Sequence, residues 1–80
     1  GDGLIKDASA TIISPCIIGQ RVKLNRGAVV GPNAVISDRV IIDENAIVKN
    51  SLVMSQTVIE KDERLDCSIA LESVRVLVRI

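Results

Sequence analysis

The side chains in this sequence best suited to chemistry are two groups of carboxylates. Asp43 and Glu44 are adjacent, and residues 60–64 read Glu-Lys-Asp-Glu-Arg. Paired carboxylates could hold a divalent cation or exchange a proton with a substrate. Both groups have opposite charges close by, as solvated turns do, and neither has a partner base or a recognisable pocket. We therefore predict no catalytic, cofactor-binding or metal-binding residue in this chain.

Composition excludes further classes of function. The sequence contains no histidine and no aromatic residue, so the commonest general base, the commonest metal ligand and any ring for base stacking are missing. Ten basic and ten acidic residues are scattered and cancel, which leaves no electrostatic patch for nucleic acid or an anionic membrane. No apolar run approaches the length of a membrane span, and no signal peptide is visible. We expect no nucleic-acid or membrane partner and a cytoplasmic location.

The elements that must carry these side chains follow a six-residue repeat. Every sixth residue is large and apolar at eight successive positions: Ile12, Ile18, Leu24, Val30, Ile36, Ile42, Val48 and Met54. Two residues before each of these lies a mostly smaller residue: Ala10, Cys16, Val22, Ala28, Ala34, Val40, Ala46 and Leu52. Two inward side chains separated by one outward residue describe a three-residue strand, which leaves three residues for a turn.

Three such strand-turn units would close a triangular coil of about eighteen residues, and stacked coils would form three parallel sheets. The residue before the small position is often Gly or Asn, which tolerate left-handed backbone angles. Arg21 and Arg39 occupy the same place, at an expected cost of about 1–2 kcal/mol each. The sequence therefore predicts an all-β parallel β-helix of about four triangular coils.

The third coil is predicted to be one residue shorter than the others. Residues 50–59 match residues 67–76 at an offset of seventeen. The pairs in this register are Ser51 with Ser68, Leu52 with Ile69, Met54 with Leu71, Thr57 with Val74 and Ile59 with Val76. We place the lost residue after Met54. Ala10, Ala28 and Ala46 should stack as an alanine column, and Glu63 then falls below it. A buried carboxylate would be unfavourable there, so we expect an open corner or a local change of register.

The two cysteines are predicted to stay reduced. In the stacked coils Cys16 points inward on the first coil, whereas Cys67 lies at a corner three coils later, about 14 Å away by strand spacing. A disulfide requires α-carbons within about 7 Å of each other. Packing and turn roles are therefore expected for these two residues.

The sequence predicts one domain with a short preceding segment. Residues 1–9 carry two glycines and mixed charge, and we interpret them as a linker or lead-in; residues 10–80 form a single β-helix domain. The only methionine is Met54, so we expect the chain to be part of a longer or processed protein whose catalytic residues could lie elsewhere. A domain of this size buries a modest core, which favours extra burial against another domain or subunit.

One surface feature indicates a binding role. The middle residue of each strand should point outward. These seven residues are Ile17, Lys23, Val29, Val35, Ile41, Ile47 and Val53, and all except Lys23 are apolar. Sorted by face, one column contains Ile17, Val35, Val53 and Ala70, and a second contains Val29 and Ile47. Val and Ile favour strands even when exposed, but a continuous apolar column is typical of a docking face. We predict that Ile17, Val29, Val35, Ile47 and Val53 contact another subunit, a catalytic domain of the same protein, or both.

The repeat resembles the hexapeptide family of left-handed parallel β-helices. The segments IGQRV, VGPNAV and IDENAI follow its pattern of an aliphatic residue, a glycine, aspartate or other small residue, and then a small inward residue. The resemblance covers residues 10–76, and the left hand of the coil is implied by it alone, since most parallel crossovers are right-handed.

Within that family the sequence is most similar to the C-terminal β-helix of sugar-1-phosphate nucleotidyltransferases of the mannose-1-phosphate guanylyltransferase type. The similarity rests on SPCIIGQRVKLNRGAVVGPNAVISDRVIIDENAIVKNSLVM, followed by QTVIE and CSIA. It implies a parent enzyme that transfers a nucleotidyl group to a sugar phosphate with Mg²⁺, and a non-catalytic assembly or regulatory role for this segment. The initial GDGL lacks the Thr and Arg of that enzyme's glycine-rich nucleotide-binding segment, so no catalytic residue carries over.

A second interpretation remains open. Many hexapeptide proteins are acyltransferases, which usually place a histidine base near a long loop between subunits. This sequence has neither feature. The alternative is therefore the β-helix of an acyltransferase whose histidine-bearing loop lies outside these residues.

Overall fold

The computed structural model describes residues 2–79, which form thirteen short β-strands and no helix. Among these residues there is consequently no helix that could cross a membrane. The strands are β1 (Ile5–Lys6), β2 (Thr11–Ile12), β3 (Cys16–Ile18), β4 (Lys23–Leu24), β5 (Val29–Val30), β6 (Ala34–Ile36), β7 (Ile41–Ile42), β8 (Ile47–Lys49), β9 (Leu52–Val53), β10 (Val58–Ile59), β11 (Arg64–Asp66), β12 (Ser68–Leu71) and β13 (Val74–Leu77).

From β4 to β12, each strand pairs with the strand three places earlier in the chain, which lies one coil away, and this pairing produces three sheets. Their orders are β1-β4-β7-β10, β2-β5-β8-β11 and β3-β6-β9-β12-β13, and we name them the first, second and third sheet. All pairs are parallel except β12 with β13. The predicted all-β class and the parallel solenoid of about four coils are confirmed. Its left hand stays a prediction from the family resemblance.

The core lies inside the coil and follows the six-residue repeat. Alternate residues of each strand point inward, so equivalent aliphatic side chains stack at the spacing of the strands, about 4.8 Å. The buried apolar residues are Ala10, Val22, Leu24, Ala28, Val30, Ala34, Ile36, Val40, Ile42, Ala46, Val48, Val53, Ile59, Leu65 and Ala70. Two polar residues share this interior. Ser51 donates a hydrogen bond to the Lys49 carbonyl, and the Thr57 hydroxyl accepts one from the Glu72 amide.

The corners require left-handed backbone, as predicted. Arg21 has a φ of 57°, Arg39 a φ of 58°, and Gly27 a φ of 72° at the equivalent place in another unit. Gly31 has a φ of 101°, and a Cβ there would collide with the carbonyl oxygen of Ile13 in the coil below. The two arginines therefore hold a conformation that glycine adopts without a steric penalty.

The position of the lost residue was predicted incorrectly. Val30 pairs with Val48 at an offset of eighteen, whereas Val35 pairs with Leu52 at an offset of seventeen. The residue is therefore missing between β8 and β9, at the corner before Ser51, and not after Met54. In the two preceding coils the equivalent corner contains a proline, at residues 14–15 and 31–32. The shortened corner, at residues 49–50, contains none.

This shift reverses the side chains of β9. Val53 is fully buried at 0% exposure, and Met54 has left the inward stripe with 39% of its surface exposed. Sequence alternation could not decide the matter, because Leu52, Val53 and Met54 are all apolar. The structure favours the inward placement of Ser51, whose hydroxyl also accepts a hydrogen bond from the Ser68 amide at 3.1 Å.

Strands β1 and β13 form the two ends of the described chain. Strand β1 lies in the stretch interpreted as a linker or lead-in; there Ile5 pairs with Lys23 and donates a backbone hydrogen bond to Val22 at 2.9 Å. At the other end β13 folds back antiparallel on β12, with Val76 opposite Ile69. The predicted stacking of β13 on β10 is therefore wrong, because the chain reverses after Leu71 before a further coil begins.

The corner geometry yields a prediction about stability. Replacing Arg39 by Gly should raise the free energy of unfolding by about 0.5–1 kcal/mol, since the left-handed penalty disappears and only part of it is lost to backbone entropy. The matched control is Arg64→Gly, an exposed arginine that is not at a positive φ. It should lower the free energy of unfolding by about 0.5–1 kcal/mol. Urea denaturation followed by circular dichroism measures both; equal signs for the two variants would contradict the argument.

Candidate functional site

The predicted docking residues are distributed over two sheets. Ile17 and Val35 pair across β3 and β6, and both point outward from the third sheet, Ile17 with 67% of its surface exposed. Val29 and Ile47 pair across β5 and β8 on the second sheet and are half-buried. Val53 does not belong to this surface, because the register of β9 turns it into the core.

Leu52 takes the outward place that was assigned to Val53. It pairs with Val35 on one side and with Ile69 of β12 on the other. Ala70, predicted to point outward, is buried for the same reason. Val76 of β13 lies opposite Ile69. We define the aliphatic column by its five outward residues on the third sheet: Ile17, Val35, Leu52, Ile69 and Val76.

A shallow groove runs beside the aliphatic column along the corner between the second and third sheets. Its larger section has a volume of about 350 Å³ and includes Leu52, Ile69 and Val78 on its apolar side. A smaller section of about 260 Å³ continues past Ile17 and Val35. Both sections share Asn33, so one polar side chain borders the two.

Asn33 and Asn50 on the polar side of the groove belong to a ladder of side-chain hydrogen bonds. The Asn33 amide donates to Asn50 Oδ1 at 3.1 Å, and the Asn50 amide donates to Asp66 Oδ1 at 3.0 Å. These bonds join three successive coils. Hydrogen bonds from Asn50 and Cys67 hold the pKa of Asp66 below its ordinary value, because they favour the charged carboxylate.

Both cysteines are free, as predicted. Cys16 is half-buried on β3, and Cys67 is exposed at the corner beside Asp66. The Cys67 thiol donates a hydrogen bond to Asp66 Oδ1 at 3.4 Å. That bond and the negative charge of Asp66 raise the pKa of Cys67, so its thiolate is disfavoured.

The first carboxylate group serves the corner in which it lies. Asp43 Oδ1 accepts hydrogen bonds from the Asn25 amide at 3.0 Å and from the Glu44 backbone at 2.7 Å, which together lower the pKa of Asp43. Glu44 lies 3.5 Å from Arg26 in a solvent-exposed ion pair. Within residues 2–79 no three metal-ligating side chains come together. This arrangement does not fit a Mg²⁺ site.

Among residues 2–79, the ion pair that is more shielded from solvent involves the second carboxylate group. Arg75 Nε lies 2.6 Å from Glu63 Oε2, with 24% and 21% of the two side chains exposed. The same guanidinium donates to the carbonyls of Val58 and Glu72. Partial burial raises the pKa of Glu63, but hydrogen bonds from Arg75 and the Glu60 backbone outweigh it, and the net pKa is lowered. Glu63 thus lies next to Ala46 at the end of the alanine column without a local change of register, and Arg75 compensates its charge.

These features place the protein in the class of parallel β-solenoids built from a hexapeptide repeat, and one of its sheets carries an aliphatic column. A family model described as the GMPPB C-terminal domain matches residues 12–77. The chain belongs to this family and is a C-terminal domain of the mannose-1-phosphate guanylyltransferase type. A search of curated proteins gives no match.

The reversed register of β9 can be tested with two neighbouring substitutions. Val53→Asp should lower the free energy of unfolding by about 3 kcal/mol or more, because it places an unpaired charge in the core. Leu52→Asp should change it by about 1 kcal/mol or less, since that side chain faces outward. Thermal denaturation of both variants measures the difference. The opposite ranking would restore the register in which the residue is lost after Met54.

The Glu63–Arg75 pair predicts a contribution to acid sensitivity. Because the pKa of Glu63 is lower in the folded chain than in the unfolded chain, this group stabilises the fold above its unfolded pKa and stops doing so as the pH falls through its folded value. Between pH 6 and pH 3 the wild type should lose more of its free energy of unfolding than Glu63→Gln does, because only the wild type loses a carboxylate charge that bonds Arg75.

Denaturant titrations at several pH values measure this loss, and Glu60→Gln is the control, an exposed carboxylate at the same corner. Between pH 6 and pH 3 the control should lose as much free energy of unfolding as the wild type does. Identical pH profiles for the wild type and Glu63→Gln would show that the ion pair adds nothing to stability.

Proposed function

We propose that this chain is the non-catalytic assembly and regulatory β-helix of a sugar-phosphate nucleotidyltransferase. The aliphatic column is the observation that carries the proposal. Its occupant is the parent's own catalytic domain or a second copy of this chain. The family match supports the parent activity, in which a nucleotidyl group passes from a nucleoside triphosphate to a sugar phosphate.

The three sheets differ in what their outward columns present. On the first sheet Lys23 interrupts the apolar residues, and on the second sheet Arg64 follows Ile47. On the third sheet, within the described part of the chain, all five paired outward residues are aliphatic. Five strands at about 4.8 Å spacing give an apolar surface about 19 Å long. Such a surface, free of charge at its centre, has the composition of an interface core.

The chemistry of the parent enzyme requires groups that this chain does not supply. Mg²⁺ belongs to the proposed reaction, where it would neutralise phosphate charge. The carboxylates described above are engaged in corner hydrogen bonds and ion pairs, so we assign the metal to the catalytic domain. An acyltransferase would instead require a histidine base, which must also come from outside this sequence.

Activity of the intact parent protein separates these two reactions. Incubation with sugar 1-phosphates, nucleoside triphosphates and Mg²⁺ should release pyrophosphate, whereas acyl-coenzyme A with an amine or alcohol acceptor should yield no free thiol. Thiol release without pyrophosphate would replace the proposed function by the acyltransferase alternative.

The docking role has its own test. A triple variant with Ile17, Val35 and Leu52 changed to Lys should lower the sedimentation coefficient of the parent assembly or expose its catalytic domain to protease. The control changes Ile5, Ile41 and Val58 to Lys, three exposed apolar residues on the first sheet. It should leave both measurements unchanged, because that column already contains Lys23. If the first variant also leaves them unchanged, the aliphatic column is not a docking surface.

A further inference from the structure

The final strand of the solenoid has two possible pairing registers. Residues 54–57 connect β9 to β10, and residues 71–74 separate Ala70 from Arg75 by the same length. Because Val53 and Ala70 are equivalent inward residues of stacked strands, a fifth coil could begin on β10 without any change in loop length. The chain instead reverses at residues 72–73 and pairs β13 with β12.

The sequence of β13 suits the unused register as well as the observed one. Stacked on β10, Val74 and Val76 would point inward above Thr57 and Ile59, and Arg75 would point outward above Val58. In the observed hairpin, 54% of Val74 and 50% of Val76 are exposed. The hairpin therefore leaves apolar surface in solvent that the fifth-coil register would direct toward the interior.

Arg75 holds the observed register. Its guanidinium bonds Glu63 at 2.6 Å and 3.3 Å, the Glu72 carbonyl at 2.6 Å, the Val74 carbonyl at 3.0 Å and the Val58 carbonyl at 2.9 Å. Val58 belongs to β10, the free edge of the first sheet. The arginine side chain thus occupies a backbone acceptor on the edge to which a fifth-coil strand would pair.

We propose that β13 is a strap that exchanges between two registers, with Arg75 as its latch. In the closed register the strap pairs with β12, and Arg75 bonds the Val58 carbonyl on the β10 edge. In the open register it pairs parallel with β10 and starts a fifth coil. The closed register has four residue pairs and the arginine bonds, so it is the major state of the isolated chain, and the open register is a minor state.

Methyl-labelled nuclear magnetic resonance of the 80-residue chain tests this inference. In the closed register Val76 should show a nuclear Overhauser effect to Ile69, and in the open register to Ile59. Arg75→Met removes the charge-assisted bonds and should raise the open population at least about tenfold, as measured by saturation-transfer exchange. Arg64→Met, an exposed arginine on β11, is the matched control and should leave the populations unchanged.

Glu63→Gln is a milder second variant, which keeps a hydrogen-bond acceptor for Arg75 but removes the charge. It should raise the open population less than Arg75→Met does. A Val76 to Ile59 contact in either latch variant supports the strap. The inference is overturned if both variants keep the Val76 to Ile69 contact alone, or if the released segment shows only random-coil shifts, since that would be fraying and not a second register.

Discussion

The constraint on which this structure depends is the vertical stacking of equivalent residues in successive coils. Each strand is only two to four residues long and could not persist alone. Its backbone groups are satisfied by the coils above and below, and its inward side chain contacts the same type of side chain one coil away. Leu24, Ile42 and Ile59 form one such stack, all fully buried. Short strands become stable only as members of a ladder, which is why the repeat must hold in every coil.

The polar residues obey the same stacking rule. Asn33, Asn50 and Asp66 form a ladder because each occupies the same corner in its coil. Asn25 bonds Asp43 for the same reason, eighteen residues apart in sequence. Asp43 and Glu63 belong to the carboxylate groups that could have suggested catalysis from the sequence. In the structure they accept hydrogen bonds from residues of the same or a neighbouring coil. The solenoid uses its polar side chains to fix corners, and this leaves its flat outward faces as the surfaces available for binding.

The sequence was sufficient to predict the fold, because eight consecutive apolar positions at a period of six suit no other architecture. It also placed Ile17 and Val35 on an outward face and Arg21 and Arg39 in left-handed corners. It could not locate the lost residue, because Leu52, Val53 and Met54 satisfy either alternation and only the packing of Ser51 decides between them. It also could not foresee the return of β13, since Val74 and Val76 fit both a hairpin and a further coil. The local sequence pattern specifies which residues of a strand alternate between the two faces. The strand with which it pairs depends on which of the available neighbouring strands gives the more stable pairing.

The missing residue before Ser51 has a structural consequence of its own. Both offsets, eighteen and seventeen, occur in one continuous core, so a corner absorbs a change in chain length that a strand could not. A deletion inside a strand would exchange the inside and the outside of every later residue up to the next corner. This architecture therefore separates two kinds of position, those where the chain can lengthen or shorten freely and those where even one residue inverts the surface. Variation in length is confined to the edges of the triangular prism, and its three flat faces keep their register.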